Sequence, residues 1–131
     1  MDNIPVSAEE ITDKPSDNNG RMPMRVIVAD TQAIFRAGLR KIFALEDDIR
    51  VVGQAETYPQ TLSAARKFSS DILIFEAALS ASPADSVAEI LRQAPGLKIV
   101  VITETPDEEL TVLNETSWPK VVPFALVAAS R

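Results

Sequence analysis

Cysteine and histidine are both absent from the 131 residues of this chain. Without cysteine there is no disulfide, no thiol nucleophile and no thiolate-held metal. Without histidine the usual general base at neutral pH, the commonest zinc ligand and a Ser-His-Asp arrangement are excluded together. Glycine is scarce, confined to Gly20, Gly38, Gly53 and Gly96, so a glycine-rich loop cradling a nucleotide phosphate is not to be expected. No apolar run approaches the roughly 20 residues that span a membrane, and no basic region followed by an apolar stretch marks a signal peptide. The expectation is a soluble, cytoplasmic protein with no membrane partner. Excess positive charge is missing too: the net charge is −6. Residues 1–24 carry Asp2, Glu9, Glu10, Asp13 and Asp17 against Lys14 and Arg21, and residues 25–131 carry 14 acids against 11 bases. Neither part has the basic stripe that draws in a phosphate backbone, so direct nucleic acid binding by this chain is not expected.

What is present divides in two. Residues 1–24 are rich in Pro, Asp, Asn and Ser, show no sustained period and read as a disordered acidic tail. Residues 25–131 alternate short apolar runs with amphipathic stretches and read as one domain. Arg25–Ala29, Val51–Ala55, Asp71–Phe75, Lys98–Ile102 and Val121–Phe124 are the strands, the last weakened by Pro123. Asp71–Phe75 is apolar on both faces and belongs in the middle of a parallel sheet. Between the strands, Gln32–Glu46 places Ile34, Phe35, Leu39, Ile42 and Phe43 at the helical period, with Asp30 or Thr31 to cap its first turn. Pro59 opens a second helix bearing Leu62, Ala65 and Phe68. Ser82-Pro83-Ala84-Asp85 has the signature of a third helix start, with Val87, Ile90 and Leu91 on its apolar side. Thr105-Pro106-Asp107-Glu108 repeats it for a short fourth helix. Strand starts recur every 20–27 residues, the length of a strand, a crossover helix and two loops. Right-handed crossovers then give an α/β fold, a doubly wound five-stranded parallel sheet of flavodoxin-like topology. Ala125–Arg131 is too short to cover a sheet face, so the fifth helix is expected to be incomplete or missing.

In such a sheet, ligands gather beyond the C-terminal ends of the strands. The polar side chains delivered there are Asp30, Glu76 and Thr103, with Glu56 further out. Two converging carboxylates can hold a hard cation through oxygen, and a nearby hydroxyl can meet an anion. The plainer reading makes Asp30 a helix cap, Glu76 a solvated loop acid and Thr103 the end of a strand.

Arg25–Leu39 (RVIVADTQAIFRAGL) resembles the opening of receiver domains from the response regulators that usually carry a C-terminal helix-turn-helix. Val51–Ala55, Asp71–Glu76 and Ile99–Thr103 follow in the family's order, so the resemblance covers roughly residues 25–117. It implies the receiver topology and a role in two-component phosphorelay signalling. A histidine kinase would supply a phosphoryl group to an aspartate at the end of the third strand. Acids after the first strand would help bind Mg2+, and a Thr or Ser after the fourth strand and a Lys after the fifth would contact the phosphoryl oxygens.

Matched residue by residue, Asp30 takes the place of the first paired acid, but Thr31 stands where the second is expected. Glu76 holds the phosphoacceptor position and Thr103 that of the switch hydroxyl. The expected Lys falls near Ala125, with Lys120 several residues early. Glu for Asp at position 76 moves the carboxylate outward by about 1.5 Å. Such a misplacement can cost on the order of 100-fold where in-line geometry decides the rate. Losing the second acid weakens a magnesium site at Asp30 and Glu76, so the cofactor expectation is none, or Mg2+ held weakly. Losing the Lys removes a cation that offsets phosphoryl charge.

Three departures together point to a receiver-like module that is not phosphorylated in the ordinary way. It would act through a protein partner or self-association, a homodimer included, or as the regulatory part of a transcriptional regulator. A carboxylate at Glu76 that reaches toward Thr103 as a permanent imitation of the phosphorylated state is one form of this reading. A working phosphoacceptor and a small metal-dependent enzyme using Asp30 and Glu76 are the alternatives. Against the enzyme stand the missing His, Cys and glycine loop. Trp118 is the candidate interaction residue, since Trp is a frequent hot spot; covering the sheet edge would explain it equally well.

Overall fold

The computed structural model describes residues 9–10, 22–103 and 121–123. In chain order these form β1 (Glu9–Glu10), β2 (Met24–Ala29), α1 (Ala33–Ala44), β3 (Ile49–Ala55), α2 (Tyr58–Lys67), β4 (Ile72–Glu76), α3 (Pro83–Gln93), β5 (Lys98–Ile102) and β6 (Val121–Pro123). A single 3-10 turn, Ala77–Leu79, leads out of β4. The strands make one sheet in the order β1-β3-β2-β4-β5-β6.

The five strands expected from the sequence, here β2 to β6, are all parallel, and β4 lies between β2 and β5 as its two-sided apolarity requires. A sixth strand was not foreseen. Glu9–Glu10, inside the stretch read as a structureless tail, pairs antiparallel with β3. The reason lies in β3, which would otherwise leave one edge open; a polar extended segment satisfies it without needing a core of its own.

Alternation along each strand divides the core. Ile27, Ala29, Val52, Leu73, Phe75, Ile99 and Val101 face α2 and α3 and join Ala64, Ala65, Phe68, Val87 and Ile90 in the larger cluster. Val26, Val28 and Val51 face the other way, against Leu39 and Phe43 of α1, and form the smaller one. The helical stripe expected on α1 needs correcting. Phe35, Leu39 and Phe43 turn inward, but Ile34 is 81% and Ile42 57% exposed, and Arg36 is buried in their stead. The period was right and its phase was rotated, because the sheet end demands a cation on that flank.

Helix starts follow their local chemistry. Thr57 caps α2, accepting from the Gln60 amide at 3.2 Å, and Pro59 sits in the first turn. Ser82 is at the N-cap of α3 with Pro83 behind it, but its hydroxyl donates to the Asp85 carboxylate at 2.8 Å instead of taking a backbone amide. α1 begins after Gln32, whose amide donates to Asp30 Oδ1 at 2.9 Å. The N-terminal ends of the strands are tied by Asp71, which accepts from the Arg25 amide at 2.9 Å while the Lys98 amide donates to its carbonyl at 3.0 Å. The expected fourth helix after Thr105, Trp118, Lys120 and any fifth helix at 125–131 all lie outside the described residues. Among the described residues no helix is long and apolar enough to cross a membrane.

Candidate functional site

Parallel register brings the candidate residues to one end of the sheet. Ala29 pairs with Phe75 across β2 and β4, which sets Asp30 beside Glu76. Glu76 pairs with Ile102 across β4 and β5, which puts Thr103 one step beyond Glu76 at the same rim. Glu76 is 4% exposed, so it is not the solvated loop acid of the plainer reading, and Asp30 is 0% exposed. Thr103 is half-buried and Glu56 is exposed, as its place further out requires.

Buried carboxylates need partners. Asp30 Oδ1 receives the Gln32 amide, a side-chain turn two residues long that starts α1. Glu76 Oε1 receives two donors from a single residue: the Thr31 amide at 2.8 Å and the Thr31 hydroxyl at 2.9 Å. Sequence reading gave Thr31 as a possible cap of α1 and as the residue standing where an acid was expected. The longer Glu side chain is what allows its oxygen to reach back across to the β2–α1 loop, and the hydroxyl supplies a donor where a second carboxylate would repel it.

Arg36 is the residue that sequence reading missed. Its Nη1 donates to the Asp30 carbonyl at 2.6 Å, its Nε to Gln54 Oε1 at 3.3 Å, and its Nη2 pairs with Glu56 Oε1 at 3.3 Å. One guanidinium thus links α1 to the ends of β2 and β3. The available signal was a charged residue inside an otherwise apolar stripe, six residues after the candidate acid. Replacing Arg36 by Ala is expected to lower stability by about 2 kcal/mol, since a buried carbonyl loses a charged donor. Glu56→Gln should cost under about 1 kcal/mol, its side chain being 58% exposed and screened. Urea unfolding of both variants checks this, and equal costs would mean that the buried hydrogen bond is not what Arg36 contributes.

As a magnesium site the rim offers the carboxylates of Asp30 and Glu76. Two carboxylates converge, each with an oxygen already accepting from backbone, and among the described residues no group of three or more His, Cys, Asp or Glu could hold a metal.

Comparison with known proteins bears on the family. No protein-family model matches the chain. The uncharacterized transcriptional regulatory protein YhcZ of Bacillus subtilis is 34% identical over 89 residues, 66% of this chain and 41% of the relative. The oxygen regulatory protein NreC of Staphylococcus carnosus is 30% identical over 90 residues, again 66% of this chain and 41% of the relative. Among solved structures, the isolated REC domain of RcsB from Salmonella enterica, determined with the phosphomimetic BeF3−, superposes with a TM-score of 0.65 at 24% identity, covering 77% of each chain. The chain carries a response-regulator receiver domain. The receiver spans about two fifths of the length of the curated relatives it matches. One of those relatives is named a transcriptional regulatory protein and the other an oxygen regulatory protein. Within the receiver, Asp30, Thr31, Glu76 and Thr103 share one rim, while Trp118 and Lys120 lie outside the described residues.

Proposed function

We propose that this receiver works without ordinary phosphoryl transfer, as a module whose signalling state is set by the proteins it binds. The observation that carries the reading is the pair of hydrogen bonds from Thr31 to Glu76 Oε1. At the phosphoacceptor position they tie up a carboxylate that is one methylene too long for the family's geometry. They also fill, with a donor, the place of the second metal-binding acid. In-line attack on a phosphoryl donor requires a carboxylate oxygen free to approach and a cation to offset charge. Here Glu76 and Thr31 satisfy one another instead. The same pair weakens the idea that Glu76 imitates a phosphoryl group, because one of its oxygens is drawn toward the β2–α1 loop.

A role as the regulatory part of a longer transcriptional regulator is supported by the names of the relatives, YhcZ being a transcriptional regulatory protein. DNA binding, dimerisation and any histidine-kinase partner belong to that larger proposal. The test is amide NMR of the chain titrated with magnesium and then beryllofluoride. Silence at Asp30, Glu76 and Thr103 in a folded protein is the expected result. Saturable shifts centred on those three would overturn the proposal and restore an ordinary phosphoacceptor.

A further inference from the structure

Among the described strands β1 alone runs antiparallel to its neighbour, with Glu9 opposite Gln54 and Glu10 opposite Gly53. Its position is the edge of the parallel sheet, since the other side of β3 is taken by β2. An open strand edge offers rows of amide and carbonyl groups to any passing strand. The covered stretch is also where the β2–β3 ladder slips: Val26 faces Val51, but Ile27 faces Gly53, so Val52 is passed over. Gln54 at this spot accepts from Arg36, whose guanidinium reaches the Asp30 carbonyl. Sheet edge and pocket are therefore joined by one side chain.

We propose that the segment through Glu9 and Glu10 is a strap closing the β3 edge, and that its release opens this edge to the β3 strand of a second copy. The direction of the strap supports that occupant. Two β3 edges related by a two-fold axis perpendicular to the sheet run antiparallel, the direction β1 already takes. A strap of two residues is held by few backbone bonds and belongs to the part of the molecule that opens most readily. The inference goes beyond the pocket reading, because an edge is guarded whether or not the pocket takes a phosphoryl group.

The experiment uses the full chain with Glu9→Pro and Glu10→Pro combined, which removes both amide donors, and Glu9→Ala with Glu10→Ala as the variant that keeps them. Glu9→Pro alone serves should the double variant fold poorly, since the amide of Glu9, opposite Gln54, is the one that faces β3. In dilute solution, amide exchange at Gln54, whose N–H faces β1, should speed at least tenfold in the proline variant. Its mean mass by light scattering should then double with concentration, over a range where the parent and the alanine variant keep theirs. Unchanged exchange at Gln54 would show that there is no strap. Faster exchange with no gain in mass would show that the uncovered edge does not receive a second copy. Either result overturns the proposal.

Discussion

A chain combining Thr31→Asp with Glu76→Asp is expected to bind magnesium at least tenfold more tightly than the parent and to respond to beryllofluoride at Thr103. The physical case rests on what the two changes undo. Aspartate at 76 withdraws the carboxylate by one methylene, out of reach of the hydroxyl that Thr31 now offers at 2.9 Å. Aspartate at 31 removes that hydroxyl and supplies a third carboxylate beside Asp30. Three acids on one rim repel each other, so without metal the double variant should be less stable than the parent. Magnesium then relieves the repulsion, and at 100 times its dissociation constant it should stabilise the variant by about 2.7 kcal/mol. Calorimetric titration and thermal unfolding with and without magnesium measure the two halves. A double variant as indifferent to magnesium as the parent would mean that Thr31 and Glu76 are not what keeps the metal out.

Phe75→Ala should be the most damaging single change in the described core, at about 3–5 kcal/mol. Phe75 is fully buried on β4 in the larger cluster, and its ring meets that of Tyr58 edge-on, with centroids 6.4 Å apart and planes at 70°. Tyr58 cannot follow the vacated space, because its hydroxyl donates to the Glu89 carboxylate at 3.0 Å. Burial first, and then this acidic partner, keep the Tyr58 phenol above its ordinary pKa. A loss of that size lowers the melting temperature by roughly 10–30 °C in a domain of this class. Ile34→Ala, at a site 81% exposed, should change stability by less than about 0.5 kcal/mol. Similar melting temperatures for the two variants would mean that the large cluster is not where the stability resides.

Much of the sheet was readable because its signals are local. Runs such as Ile72–Glu76 and Lys98–Ile102 are too short and too β-branched to be helices, and their spacing leaves room for one crossover each. The rim positions of Asp30, Glu76 and Thr103 follow from parallel register alone. Three features depend on contacts between distant residues and left no local mark. Arg36 is buried because carbonyl and carboxylate groups from β2 and β3 meet there, which rotates the buried face of α1 and leaves Ile34 and Ile42 outside. The bond from Thr31 to Glu76 spans 45 positions, so neither residue announces the other. β1 is polar and two residues long; only the open edge of β3 explains why it is a strand.

The strand order also governs how the domain must be made. Among the described strands β2 is the first long one to be made, yet its neighbours in the sheet are β3 and β4. After β3 has emerged, one flank of β2 still waits for a strand that lies beyond the whole of α2. At translation rates of ~5–20 residues per second this interval lasts on the order of seconds. Throughout it the central ladder is half built, and Val26–Ala29, fully covered in the finished domain, stays open to chaperones and to neighbouring nascent chains.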